Sequence, residues 1–258
     1  MVGQLLILAL LTTPLVPPSP ADATSAVRAR SVGTAWGGRL ENGVAMDLTG
    51  THHRFTSNVR RKRSNFGTPD MVELLHRIGF VVDGAVNGPP MIIGSISQEG
   101  GGCMNPHKSH QTGRDVDILF YVIDENGRRR AARGFYDFDG HGVCQSRRCE
   151  GWRFDVQRNW HIVRTMVWSQ RPQVQYIFVS NPLKALMLRY AEQRGEHPEI
   201  VRRARRVMAQ PRNSSAHADH FHVRIYCSPD DRSEGCVDGG PRWSWVRELD
   251  AVRAQAAH

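Results

Sequence analysis

The chain has 258 residues, 40% of them hydrophobic and 23% charged, with six Trp and nine Phe. That content can build a core, which excludes disorder throughout, and the length excludes a disulfide miniprotein. Lys and Arg outnumber Asp and Glu by 34 to 25, a formal charge of +9, so a nucleic-acid binder is the first class to weigh.

The first element in chain order is an address. Leu5 to Leu11 is an unbroken apolar run, and Ala21-Asp22-Ala23 supplies a small-x-small triplet after it. This pattern predicts a secretory signal peptide over 1–23 and a single mature domain over 24–258, with its core at about 30–240. No apolar run approaches the ~20 residues that span a bilayer, so no integral membrane segment is expected after signal cleavage. Export to an oxidising compartment favours disulfides. Cys144 and Cys149 lie close together in a loop-like stretch, and Cys227 and Cys236 flank another. Two local staples are the simplest pairing, with Cys103 left free or paired elsewhere. No C-x-x-C is present, which argues against a four-cysteine zinc site.

A basic run, Arg60-Arg61-Lys62-Arg63, precedes Thr68-Pro69, which can cap and open a helix. Met71, Leu74, Leu75 and Ile78 form one apolar stripe of that helix, and Gly79 can end it. Met91–Ile96 and Asp117–Ile123 read as strands, the second followed by a turn at Asp124–Gly127. Val156, Trp160, Val163 and Val167 space as a helix face. Val174–Val179 is a third strand, and Ser180-Asn181-Pro182 opens a helix with Leu183, Leu186, Met187 and Tyr190 on one side. A helix over 198–208, a strand over 221–226 and a terminal helix over 243–255 complete the order. Helices and strands mix without regular βαβ alternation, so the class is α+β.

Five of the twelve histidines fall in two short windows, His107–Asp117 and His217–His222. Imidazole and carboxylate are the common zinc ligands, and a catalytic zinc takes three protein ligands and keeps a fourth position open. His110 and Asp117 are separated by a loop of six residues. His220 and His222 are two apart on a predicted strand and share a face, so one can ligate while the other reaches water or substrate. The residues therefore suggest two histidines and one aspartate around a metal. No H-E-x-x-H, G-x-S-x-G, P-loop or G-x-G-x-x-G is present.

Ser109-His-Gln-Thr-Gly-Arg-Asp-Val-Asp117 and His217-Ala-Asp-His-Phe-His-Val-Arg224 resemble the two motifs of the penicillin-insensitive murein endopeptidases, within the wider lysostaphin-like and D-Ala-D-Ala metallopeptidase group. The segments 64–70, 93–97, 178–184 and 210–214 are similar as well. The resemblance implies a small central antiparallel sheet carrying the site, flanked by helices. It implies Zn2+ at His110, Asp117 and His222, with catalytic help from His220 and His217. It also implies a peptidoglycan substrate cleaved at the D-alanyl–meso-diaminopimelyl cross-link in the periplasm. Metal-activated water offers a β-lactam no serine to acylate.

For His107 the resemblance implies a second, non-catalytic metal completed further along the chain, where Asp137, Asp139 and His141 lie; His107, Asp139 and His141 are the candidate set. Asp219 and Arg224 are candidates for orienting the ligands. A homodimer is open on the sequence. The rival functions are an L,D-endopeptidase or D-Ala-D-Ala carboxypeptidase of the same group, and a non-catalytic wall-binding protein of the same fold. Nucleic acid is not an expected partner, because the arginine runs read as solvated faces and the chain reads as exported. Murein carries free carboxylates, a more natural anion for a basic exported protein.

Overall fold

The computed structural model describes residues 28–247; the predicted signal peptide and the predicted terminal helix from residue 248 onward lie outside them. An N-terminal hairpin, β1 (Arg30–Thr34) and β2 (Gly37–Glu41), is followed by β3 (Val44–Ala45), β4 (His53–Phe55), α1 (Ser57–Lys62) and β5 (Phe66–Gly67). Helix α2 (Pro69–Ala85) leads to β6 (Met91–Ile93), β7 (Asp115–Leu119), β8 (Val122–Ile123), β9 (Arg129–Arg130) and β10 (Arg153–Phe154). Then come α3 (Val156–Trp168), β11 (Val174–Phe178), α4 (Asn181–Gln193), α5 (Pro198–Val207), β12 (Met208–Ala209), β13 (His220–Ile225) and α6 (Pro229–Ser233). The class is α+β, as expected.

The central sheet has six strands in the order β12-β11-β13-β7-β6-β4. Its four inner strands pair antiparallel, and the two outermost pairs, β12 with β11 and β4 with β6, are parallel. The expected antiparallel sheet is thus mixed at its edges. Strand periodicity divides the inner strands between two jobs. Val116, Ile118, Ile177, Phe221, Val223 and Ile225 join the apolar core with the buried residues of α2 to α5. The alternate positions Asp115, Asp117, His220, His222 and Arg224 supply the polar side chains that make the site.

Helix α2 starts where its residues require. Thr68 accepts a hydrogen bond from the Met71 N–H at 3.3 Å, Pro69 occupies the first turn, and Met71, Leu74, Leu75 and Ile78 are fully buried. Gly79 does not end the helix, contrary to expectation. A Cβ there would lie 2.9 Å from both the Cβ and the carbonyl oxygen of His52. This glycine allows the helix to pass close to the chain entering β4.

The expected strand over Asp117–Ile123 is broken. The Tyr121 N–H donates to Asn159 Oδ1 at 3.0 Å, and Asn159 Nδ2 donates back to the Tyr121 carbonyl at 2.8 Å. Helix α3 thus takes over a backbone that would otherwise extend the ladder, with Asp155 as its N-cap. Beside it, the fully buried Arg158 pairs with Asp83 at 2.6 Å and lies 3.7 Å above the Tyr121 ring. Asn159→Leu strands the Tyr121 N–H in the core. The expected loss is about 1–3 kcal/mol of stability, to be measured by urea unfolding.

The two ends of the described chain are tied to the inner strands. Arg114 is buried; it donates to Ser31 Oγ at 2.9 Å and to the carbonyls of Ile225 and Val237, and it pairs with Asp238. Disulfides join Cys144 to Cys149 and Cys227 to Cys236, and Cys103 is free, as the simplest pairing predicts.

Candidate metal centre

Sheet register brings the two sequence windows together. On β7 and β13, Asp117 stands opposite His222 and Asp115 opposite Arg224; on β11, Phe178 stands opposite His222. His110 precedes β7 in the left-handed backbone region, with φ of 68°. Its loop is pinned from both sides. Ser97 Oγ donates to the His110 carbonyl at 2.6 Å, and the Thr68 N–H donates to the Gly113 carbonyl at 3.1 Å.

Three atoms converge on one point. His110 Nε2 lies 3.2 Å from Asp117 Oδ1, His222 Nδ1 lies 3.2 Å from the same oxygen, and the two nitrogens are 3.3 Å apart. The outer ring nitrogens fix the tautomers. His110 Nδ1–H donates to the Ile96 carbonyl at 2.6 Å, and His222 Nε2–H donates to Asp115 Oδ1 at 2.8 Å. Both inner nitrogens therefore present lone pairs, and both face a carboxylate oxygen. Asp117 Oδ1 is buried and has no hydrogen-bond partner.

Three acceptors with no donor between them repel one another unless a cation neutralises them. A tetrahedral zinc with bonds of about 2.0–2.1 Å separates its ligand atoms by roughly 3.3–3.4 Å. The observed triangle fits that group.

Asp115 accepts from Arg224 Nε at 2.8 Å as well as from His222, and Ser109 Oγ lies 3.4 Å from His222 Nε2. Burial alone would raise the carboxyl groups of Asp115 and Asp117. The Arg224 charge and the His222 hydrogen bond hold Asp115 far below the carboxylate range, and His110 and His220 do the same for Asp117. For His222, burial disfavours the cation, but the hydrogen bond to Asp115 and the nearby carboxylates raise it. The Phe178 ring packs 5.6 Å from the His222 ring, and so crowds that ring in place.

The remaining histidines line the same pocket, a cavity of about 570 Å³ that also takes in Thr56, Asn58, Lys62, Ser95, Lys108, Phe135 and Ser215. His220 Nδ1 donates to Asp219 Oδ1 at 2.6 Å, and its Nε2 lies 3.4 Å from Asp117 Oδ1. Burial opposes the charge on His220, yet Asp117 and Asp219 raise it to about 10. His217 donates from Nδ1 to the Ser215 carbonyl at 2.9 Å, and burial together with the neighbouring His220 lowers it to about 4. Phe135, 45% exposed at the pocket mouth, meets the His220 ring edge-on at 5.0 Å.

His107 lies in this pocket too. Its Nδ1 is 3.6 Å from Asp117 Oδ2, and with His110 and Asp117 it forms a group able to hold a cation. Burial and repulsion from His110 push His107 down to about 4, partly offset by Asp117, with Lys62 adding to the drop. The set of His107, Asp139 and His141 is not gathered among the described residues in either group of candidate ligands. The Asp139 carboxylate instead serves its own turn, where it accepts from the N–H groups of His141 and Val143 and from Gln145.

Asp115 was not singled out from the sequence. The signal was its spacing of two from Asp117, which puts both on one strand face opposite Arg224 and His222. Phe135 carries no sequence signal, because it comes to the site from a non-repetitive stretch.

The family model described as penicillin-insensitive murein endopeptidase matches residues 31–242. A penicillin-insensitive murein endopeptidase of Haemophilus influenzae is 30% identical over 203 residues, which cover 72% of this chain and 64% of the relative. One of Klebsiella pneumoniae is 34% identical over 95 residues, 36% of this chain and 34% of that protein. One of Escherichia coli O157:H7 is 26% identical over 209 residues, 78% of this chain and 68% of that protein. The chain thus spans just under two thirds of the Haemophilus relative's length and about a third of the Klebsiella one. With a family match running from the first strand to beyond the second histidine window, the chain belongs to the penicillin-insensitive murein endopeptidase family.

Proposed function

We propose that this protein is a zinc-dependent murein endopeptidase that hydrolyses D-alanyl–meso-diaminopimelyl cross-links of peptidoglycan, and that it acts in the periplasm after removal of residues 1–23. The observation that carries the reading is the triangle of His110 Nε2, Asp117 Oδ1 and His222 Nδ1, whose acceptors face one another with no donor between them. When bound, zinc supplies Lewis acidity toward the scissile carbonyl and brings the pKa of a water molecule toward ~7.

The rest of the chemistry belongs to the protein's own side chains. Asp219 sits behind His220 Nδ1, so His220 can hold a proton at Nε2, facing the pocket, and later release it to the departing amine. His217 has only a neutral carbonyl behind Nδ1, so it stays uncharged and offers a lone pair at Nε2 to orient water or a substrate N–H. Asp115 and Arg224 keep the His222 ring in one orientation, and Phe178 covers it. Phe135 narrows the mouth of the pocket and can limit the entry of water around the reacting bond.

The test is mass spectrometry of purified cross-linked muropeptides incubated with the zinc-loaded protein. Dimers are expected to fall to monomers, with the new ends at D-alanine and at the diaminopimelate amine. Dialysis against a chelator should abolish this, and added zinc should restore it. Undiminished cleavage in chelator would remove the metal from the reaction, and new ends at any other bond would replace the assigned specificity.

A further inference from the structure

The pocket holds more positive charge than the metal ligands require. Two lysines line it, Lys62 and Lys108, and the only acidic side chain in its lining is Asp117, which is turned to the ligand triangle. The lysines differ in what they do. Lys108 is exposed, and its Nζ donates to the Asn213 carbonyl at 3.3 Å, which straps the loop before His110 to the loop before His217. Lys62 ends α1 and is half-buried; no ion pair to it is found among the described residues. Its neighbours are differently engaged: Arg61 reaches Asn58, and Arg63 pairs with Glu99. From the same short helix, Asn58 lies one turn before Lys62 and also lines the pocket, as does Thr56 just ahead of it.

A half-buried ammonium without a counter-charge among the described residues, inside a substrate pocket, calls for an anion from the substrate. We propose that Lys62 is a specificity-determining residue that binds the free carboxylate on the carbon attached to the scissile nitrogen. The inference rests on the reading of the pocket as a murein cross-link hydrolase. In such a cross-link the amine half is diaminopimelate, whose two amine-bearing carbons each carry a carboxylate, so the carbon next to the scissile nitrogen carries one. Asn58 and Thr56 can complete its hydrogen bonds. A peptide whose carboxylate is amidated presents a neutral group to Lys62 and leaves the ammonium unpaired.

The experiment uses the full zinc-loaded protein and two purified muropeptide dimers that differ only in whether this carboxylate is free or amidated. The wild-type protein should prefer the free acid by roughly 10- to 100-fold in kcat/KM, the range of one hydrogen bond to a charged group. Lys62→Met should erase the preference by raising KM for the free acid alone, with zinc content unchanged. Lys62→Arg should keep it. Arg60→Gln removes a charge from the same helix outside the pocket lining and should also keep it, which separates local recognition from general attraction. Equal cleavage of both dimers by the wild type, or a preference that survives Lys62→Met, would overturn the assignment of Lys62 alone. Cleavage of neither dimer by the wild type would overturn the hydrolase reading and the Lys62 assignment with it.

Discussion

His222→Ala is expected to abolish zinc binding and to lower muropeptide hydrolysis by on the order of 10³-fold or more, because on the proposed function the zinc held by His110, Asp117 and His222 would supply the Lewis acidity. His220→Ala, two residues away on the same strand face, is expected to retain the metal and still lose roughly 10²- to 10⁴-fold in kcat, the range of a general acid or base. The contrast follows from which atom each ring turns to Asp117. His222 is locked by its Nε2–H bond to Asp115 and offers Nδ1 to the triangle, 3.3 Å from His110 Nε2. His220 is locked by its Nδ1–H bond to Asp219 and approaches Asp117 at 3.4 Å from the pocket side. Metal analysis and single-turnover kinetics on the two variants separate the roles. A zinc-replete His222→Ala protein would break the ligand assignment, and a zinc-free His220→Ala protein would move that ring among the ligands.

Much of this pocket was legible before the fold. The windows 107–117 and 217–222 hold all five histidines that the structure brings into one cavity, because metal-type chemistry concentrates imidazole and carboxylate at short spacing. Strand alternation was enough to put His220 and His222 on one face. Helix positions were legible where a cap and an apolar stripe agreed, as at Thr68 with Met71, Leu74, Leu75 and Ile78. What escaped depends on contacts distant in sequence. Gly79 reads as a helix stop until His52 is seen against it. The strand through Phe120 reads as continuous until Asn159 takes the Tyr121 backbone. The hairpin of β1 and β2 is short, and its placement depends on Arg114, which reaches Ser31 from the sheet. Asp115 reads as one more polar residue until β13 is set in register beside it.

Asp115 carries the second large expectation. It is fully buried and serves two partners with one oxygen, accepting from His222 Nε2 and from Arg224 Nε, each at 2.8 Å. Asp115→Asn keeps the shape and removes the charge. The amide can still accept one of these bonds, but it no longer balances the charge of Arg224, and it places an N–H donor near one of two donors. Such an outer partner of a metal-bound histidine is typically worth 10- to 100-fold in metal affinity, and that loss is expected in a competition titration with a chromogenic chelator. Asp115→Ala goes further, because it leaves the guanidinium of Arg224, whose side chain is 8% exposed, without its carboxylate. Breaking a buried pair from one side costs about 3–5 kcal/mol, so this variant should lose a large fraction of its resistance to urea even in the presence of zinc. A double variant, Asp115→Ala with Arg224→Met, removes both charges. It is expected to recover most of the stability without recovering the metal affinity, since the His222 ring is still unanchored. Recovery of both would make Asp115 a counter-ion for Arg224 and nothing more, and recovery of neither would mean that Asp115 supports the sheet through contacts other than these two.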